Sequence, residues 1–475
     1  MREISKQDVL ERLKIENPWW QTGGIAPEVR KVRPRAYLKL FLRLLEKRDP
    51  HRATILMGPR RVGKTWMIYH AIAQFIQQKK SPSTLCYINL QNPLYNGLSL
   101  EQLLKYASEA SGISLQDQLL VCFDEIQYLR EWEIHLKSLV DTYRNIKFVG
   151  SGSAAAALRL KSTESGAGRF TDFLLPPLTF YEYLELQDLS EIVQIKESAI
   201  RTFSCTDIEE LNVRFVHYLN YGGYPEVVFS QEIQADPERY IRGDIIDKVL
   251  MKDLPGLYGI QDVQELNSLF QRLTYNTGGE VSLEDLSQKS GVSKNTIKRY
   301  IEYLESAFLI KIIHRVDRTA KRFVRATRFK VYLTNPSLYC ALFAPVTSDS
   351  ITIGNLVETA VFAQWFHSVT AQLHYARWKG GEVDIVRLDK EFNPNWAVEV
   401  KWSDEYIASP HKLAGLIDFS KDHPDCAFLV TTRSQEGVKR IDKLTIEFKP
   451  ASLYCYMLGY NIIESRGRHE LAKRQ

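Results

Sequence analysis

The sequence predicts an α/β fold, with two strand-and-helix blocks separated by a mostly helical stretch. Two patterns predict it. From Arg52, short apolar runs at 53–57, 85–90, 119–123 and 146–149 alternate with helical or loop stretches, as in a parallel sheet flanked by helices. From Ile351 the alternation returns: a helix, then strand-like runs at 374–378, 383–388, 396–402 and 427–431. The 475 residues have room for about three domains at ~100–200 residues each.

The elements fall in order. Residues 1–50 read as a polar lead-in and a helix at 37–46, with Leu38, Leu40, Phe41, Leu44 and Leu45 on one side. Residues 51–180 hold the first block, closed by Pro176 and Pro177. Residues 181–275 are helical in pattern and interrupted by Gly222 and Gly223. Residues 276–345 contain a small helical unit and a basic hairpin, and residues 346–475 the second block. With 44% hydrophobic and 25% charged residues, a disordered chain, a collagen-like fibre and a disulfide miniprotein are excluded. The six cysteines form no C-x-x-C pair, so no zinc site is expected, and Cys86 and Cys122 read as buried packing residues. The N-terminus lacks an apolar signal-peptide core, and no 18-residue uncharged apolar run occurs. The expected compartment is the reducing cytoplasm, with no membrane partner.

The segment Gly58-Pro59-Arg60-Arg61-Val62-Gly63-Lys64-Thr65 fits G-x-x-x-x-G-K-[ST], with a strand before it and a helix after it. The glycines let successive backbone N–H groups point at phosphate oxygens. Lys64 would reach the β- and γ-phosphates, and the Thr65 hydroxyl would ligate Mg²⁺. About sixty residues on, an apolar run ends in Asp124-Glu125. In a P-loop ATPase the first carboxylate holds Mg²⁺ and the second acts on the attacking water. Asp124 is accordingly the expected Mg²⁺ residue and Glu125 the expected base. The next strand runs into Ser151, which could contact the γ-phosphate or orient the water, or simply form a Ser/Gly turn. Arg169 could reach a neighbouring subunit's γ-phosphate as an arginine finger; a solvated surface arginine is the equal alternative.

These residues, with Asn17-Pro-Trp-Trp20, Phe123-Asp-Glu-Ile-Gln127, Gly150-Ser151, Gly168-Arg169 and Tyr221-Gly-Gly-Tyr-Pro225, resemble prokaryotic AAA+-type ATPases related to the STAND class. Such proteins join a P-loop ATPase core with a helical lid to a winged helix and a C-terminal restriction-endonuclease-like domain. The resemblance spans nearly the whole chain. It implies ATP and Mg²⁺ as cofactors, and a Gly-x-Pro turn in the lid that places Pro225 against the nucleotide base. Without that resemblance, Gly222, Gly223 and Pro225 merely punctuate two helices.

Residues 282–304 read as helix–turn–helix. Ser282 with Asp285 resembles a capping box, Gly291 ends the first helix, and Ser293 caps the second. Ile297, Tyr300, Ile301 and Leu304 fall on one face of that helix; Lys294, Asn295, Lys298 and Arg299 fall on the outer face, suited to phosphates or base edges. The hairpin at 311–330 carries Lys311, Arg315, Arg318, Lys321, Arg322, Arg325, Arg328 and Lys330 against Asp317 alone. That local +7 exceeds the net +5 of the whole chain, so the remainder is near neutral. The expected partner is a nucleic-acid backbone, DNA before RNA, bound in a salt-sensitive and mostly sequence-blind way. A solvated hairpin, or one that contacts protein, is the alternative.

In the second block, Glu358 sits in a mostly apolar helix, Asp384 in Gly-Gly-Glu-Val-Asp, and Glu399 and Lys401 in Val-Glu-Val-Lys. Strand alternation puts Glu399 and Lys401 on one face, and Glu382 and Asp384 on another. Two adjacent strands could present Asp384, Glu399 and Lys401 to one point. There the carboxylates would hold one or two Mg²⁺ (or Mn²⁺) ions and Lys401 would orient the attacking water. The spacing resembles the D-x(n)-E-x-K motif of PD-(D/E)xK nucleases, and the preceding Glu358 resembles their resolvase-like branch. The expected protein is thus an ATP-dependent nucleic-acid enzyme with a nuclease domain, oligomeric if Arg169 acts between subunits. Two alternatives stay open: a DNA-binding switch with a silent nuclease fold, and a signalling ATPase whose winged helix contacts only protein.

Overall fold

The computed structural model describes residues 5–153, 168–196, 201–321, 328–368 and 371–472, the last eight as backbone only. Arg322 and Arg325, expected to meet nucleic acid, lie outside the described residues. The chain divides into two compact units: residues up to Leu175 with the C-terminal tip from Glu470, and Pro176–His469.

The first unit is built on β1 (Ala53–Met57), β2 (Leu85–Asn89), β3 (Leu119–Asp124), β4 (Ile146–Gly152) and β5 (Phe170–Leu174). Their order is β2-β3-β4-β1-β5 and every pairing is parallel. Parallel strands buried on both faces read as continuous apolar runs, and β1 to β4 are buried at nearly every position. The edge strand β5 is mostly half-exposed, so its apolar pattern is too weak to be read from sequence. The helix expected at 37–46 spans Leu38–Glu46 and buries Leu40, Phe41 and Leu45.

The other edge, β2, is closed by the Asn-Pro-Trp-Trp segment. The fully buried Asn17 side chain acts as a neighbouring strand would. It accepts from the Tyr87 backbone N–H at 2.6 Å and donates to the Tyr87 carbonyl at 2.8 Å. The Trp19 and Trp20 indoles both donate to the Leu85 carbonyl at 2.8 Å. An open sheet edge would leave these groups unpaired. Asn17→Ala strands a buried donor and a buried acceptor on Tyr87. It is expected to destabilise the protein by roughly 2–4 kcal/mol. Urea denaturation measures this, and an unshifted midpoint would show that the edge needs no cap.

In the second unit, β6 (Val193–Lys196) and β7 (Thr202–Cys205) form an antiparallel pair. The main sheet follows: β8 (Glu280–Ser282), β9 (Ile310–Val316), β10 (Arg328–Leu333), β11 (Gln372–Trp378), β12 (Gly381–Leu388), β13 (Pro394–Glu399), β14 (Ala427–Thr432), β15 (Gly437–Ile441) and β16 (Leu444–Pro450). These make one nine-stranded sheet in the order β15-β16-β14-β13-β12-β11-β9-β10-β8. The joint is the parallel pair β9–β11, with Arg315 opposite Tyr375 and Val316 opposite Ala376. One hydrophobic core holds Val316 and Ala320 together with Ala376, Val383, Phe419 and Phe428. The expected divisions at 275/276 and 345/346 therefore fall inside one unit rather than at its edges.

Helices Leu283–Ser290 and Lys294–Ser306 flank Gly291, whose φ of 74° needs glycine. Ser282 accepts from Asp285 N at 3.0 Å, which is one arm of the expected capping box, and Ser293 accepts from Thr296 N at 3.2 Å. Ile297, Tyr300, Ile301 and Leu304 are buried, whereas Lys294, Asn295, Lys298 and Arg299 are exposed. Gly222 ends helix Ile208–Tyr221, and Pro225 opens helix Pro225–Phe229. A Cβ at Gly223 would stand 2.5 Å from Ser337 Oγ and 2.6 Å from Asn335 Oδ1, so close packing requires glycine there. All six cysteines are free. Among the described residues no helix is long and apolar enough to cross a membrane.

Candidate functional site

The phosphate-binding loop joins β1 to helix Lys64–Gln77. Gly63 caps that helix at φ 90°, and Arg61 also lies in the left-handed region at φ 64°. These reversals turn the backbone N–H groups inward. A Cβ at Gly58 would fall 2.2 Å from the Leu175 carbonyl oxygen. Lys64 is buried and donates to the Gly58 and Pro59 carbonyls at 3.1 and 2.9 Å. Arg35, also buried, donates to the Val62 carbonyl at 3.1 Å and braces the loop from outside. Asp124, the last residue of β3, is 2% exposed. Its Oδ2 accepts from Thr65 Oγ1 at 2.7 Å and Tyr87 Oη at 2.8 Å, and its Oδ1 accepts from Ser151 Oγ. Hard oxygens thus gather on Asp124 at the start of the helix that carries Lys64, a donor set that fits Mg²⁺. Glu125 sits in a turn at φ 55° and accepts from Gln127 Nε2.

A second cluster forms on the nine-stranded sheet. Glu358 lies on helix Ile353–Trp365, Glu382 and Asp384 on β12, and Glu399 at the end of β13. Lys401 lies just past β13, not on the strand as expected. It is held by a Thr431 hydroxyl that accepts from Lys401 N and donates to Lys401 O, both at 2.7 Å. Its ammonium still arrives 2.8 Å from Glu399 Oε1 and 3.9 Å from Asp384 Oδ2. Asp384 Oδ2 also accepts from Val400 N at 2.9 Å. The sequence reading missed a second ammonium. Lys330 of β10, its side chain 5% exposed, lies 3.1 Å from Glu358 Oε1, 2.7 Å from Glu382 Oε1 and 3.6 Å from Asp384 Oδ1. Tyr332 Oη donates to Glu358 Oε1 at 2.5 Å.

Burial, then the charge of Asp384, pushes the Glu399 carboxyl up to about 8 against the pull of Lys401. Burial likewise raises Glu358, opposed by Lys330. For Lys330 and Lys401 burial acts to lower the pKa, but Tyr332 and three carboxylates around the first, and Asp384 and Glu399 around the second, leave both raised. The expected ligands Glu358, Asp384 and Glu399 do converge. Among the described residues, however, no group of three or more His, Cys, Asp or Glu is arranged to hold a metal ion. Two lysine ammonium groups are lodged among the carboxylates.

The family model for an AAA domain matches residues 50–184. Residues 50–184 form an AAA-type P-loop domain. A model for a domain of unknown function matches residues 212–350. The uncharacterized protein MJ1637 of Methanocaldococcus jannaschii is 26% identical over 330 residues, covering 66% of this chain and 67% of that protein. An uncharacterized protein of Haemophilus influenzae is 23% identical over 353 residues, covering 73% and 80%. Among solved structures, a Walker-type ATPase of Pyrococcus abyssi gives a TM-score of 0.36 at 15% identity, covering 66% of this chain and 99% of its own. The ORC1 protein of Aeropyrum pernix, solved in complex with DNA, gives 0.33 at 12%, covering 68% and 95%.

Within the AAA domain, Ser151 meets Asp124 as well as lying near the loop's strand, in register with Leu56 of β1. Arg169 is placed differently. It precedes β5, whose first residue pairs with Ala53 at the start of β1, whereas the phosphate loop follows the end of β1. That separates Arg169 from its own loop by about five strand residues, ~16 Å at ~3.3 Å per residue. It is bound to Asp141. Arg169 thus lies at the opposite end of β1 from the phosphate loop.

The basic residues are largely committed inside the second unit. Arg315 donates to the Arg377 carbonyl at 2.7 and 3.0 Å, and Arg318 pairs with Asp418 and Asp422 at 3.4 and 2.9 Å. Lys311 pairs with Glu305 at 2.7 Å, and Lys294 with Glu284. Glu280, almost buried, collects Arg328 at 3.2 Å, Arg377 at 3.4 Å and Arg315 at 3.9 Å. The expected free cationic hairpin is instead a sheet component with its charges partly neutralised. Arg315, Arg328 and Arg377 remain partly exposed around Glu280, and Arg377 also reaches Glu382 of the carboxylate cluster at 3.5 Å.

Proposed function

We propose that the chain is a Mg²⁺-dependent ATPase that acts on nucleic acid and carries a metal-dependent nuclease domain. The observation that supports the ATPase part is the meeting of Thr65 and Ser151 on Asp124, at the end of a glycine loop whose carbonyls hold Lys64. In this reading Lys64 exchanges its loop carbonyls for phosphate oxygens. Thr65 and Asp124 would hold Mg²⁺, which would supply charge neutralisation to the phosphates. Glu125, aimed by its turn and by Gln127, takes the proton of the attacking water. Arg169 completes the site of a neighbouring copy. The nucleic-acid part is supported by the exposed Lys294, Lys298 and Arg299 and by the three arginines around Glu280. The nuclease part is supported by the convergence of Glu358, Asp384, Glu399 and Lys401.

Glu125→Gln is expected to keep nucleotide binding while slowing turnover by about 10²–10⁴-fold, the usual worth of a positioned base. Steady-state phosphate release measures it, and an unchanged rate removes Glu125 from this role. Binding to DNA should weaken steeply with added salt; salt-independent binding, or none, favours a protein partner. A second reading, a switch with a silent nuclease fold, is favoured by one observation: the Lys330 ammonium already pairs with Glu358, Glu382 and Asp384.

A further inference from the structure

We propose that Lys330 is an internal counter-ion that closes the carboxylate site to divalent cations, so that a cation enters only when its ammonium withdraws. The inference rests on reading Glu358, Asp384 and Glu399 as cation ligands, though not on any cleavage by them.

The geometry carries it. Lys330 reaches the cluster from β10, outside the helix and strands that supply the carboxylates. Its position is fixed from both sides, since β10 pairs Lys330 with Ile313 of β9 and Glu280 of β8. Its ammonium lies 5.4 Å from the centre of the Tyr375 ring, and the side chain is buried. The ammonium meets oxygens of Glu358, Glu382 and Asp384 at 2.7–3.6 Å, longer than the about 2.0–2.6 Å at which Mg²⁺ and Ca²⁺ bind oxygen. With Lys330 between them, these carboxylates form no cation-holding group among the described residues.

The charge count points the same way. Among the described residues, Glu358, Glu382, Asp384 and Glu399 meet Lys330, Lys401 and, at Glu382, Arg377, so fully ionised the cluster retains one formal negative charge; withdrawal of Lys330 would leave two, the charge that one divalent ion balances. The Glu399 Oε2 atom is buried and has no hydrogen-bond partner, a donor position left over after both lysines are placed. An ammonium carries one charge and cannot use that oxygen from where it sits. A divalent ion could, once Lys330 makes way.

The test is Mn²⁺ binding to the full-length protein without nucleotide, by isothermal titration calorimetry. Lys330→Met keeps most of the side chain's length and removes its charge; Lys330→Gln does so while still offering the carboxylates a hydrogen bond, should the methionine variant fail to fold. Either folded variant is expected to bind Mn²⁺ at least about tenfold more tightly than the wild type, and the gain should vanish when Asp384→Asn is added. Lys330→Arg should stay closed. Equal or weaker Mn²⁺ binding on loss of the charge, or a gain that survives Asp384→Asn, overturns the proposal. The nuclease reading is judged separately: a wild type that cuts nucleic acid while Lys330→Met binds Mn²⁺ no better would sink the counter-ion role and spare the nuclease. Tighter Mn²⁺ without cleavage would do the reverse.

Discussion

Lys64→Ala is expected to lower ATP turnover by about 10²–10³-fold, the cost of removing one preorganised charge donor from a buried phosphate site. Two effects add. The ammonium that would meet the phosphates is gone, and so are the bonds from Lys64 to the Gly58 and Pro59 carbonyls that set the curl of the loop. Lys64→Arg should not rescue activity, because a planar guanidinium needs more room than a buried ammonium and presents its donors in a fixed fork. The measurement is single-turnover hydrolysis beside nucleotide binding. Turnover within threefold of the wild type would mean that the loop does not act on ATP as proposed.

Asp384→Asn is expected to remove divalent-dependent cleavage of nucleic acid by about 10³-fold. Several kcal/mol of charge stabilisation at ~1.36 kcal/mol per tenfold gives that size. The substitution is informative because asparagine can keep the hydrogen bond from Val400 N and so preserve the turn after β13. What it loses is the negative charge that both lysines share. A panel of DNA and RNA forms with Mg²⁺ or Mn²⁺, with Lys401→Ala as a companion, reads the effect. No cleavage by the wild type on any substrate would leave the silent-fold reading in place.

The phosphate loop was legible because it is local: eight consecutive residues, a strand before and a helix after, with Asp124 and Ser151 at the ends of adjacent parallel strands. Its second layer was not. Tyr87 touches Asp124, yet in sequence it is one more aromatic in an apolar run. The carboxylates of the second block were legible through spacing. The partners of the basic hairpin were not, because Asp418, Asp422 and Glu280 lie tens of residues away and only tertiary folding brings them in. Lys330 shows this most directly. In Arg-Phe-Lys-Val-Tyr the alternation puts Lys330 and Tyr332 on one face, but nothing local says that this face meets Glu358 and Asp384 rather than solvent. Strand β16 was missed although Leu444, Ile446 and Phe448 alternate with polar residues and are buried as that pattern requires.

The β9–β11 pairing also bears on how such a chain can evolve. Proteins assembled from detachable parts can trade one part for another at a linker. Here the strands around the helix pair and the strands bearing the carboxylates share one hydrogen-bonded ladder and one core. Exchanging either alone would strip a partner from β9 and β11 and open two raw edges. The segment from the helix pair to the last strand is therefore one structural block, and its two surfaces rest on one sheet.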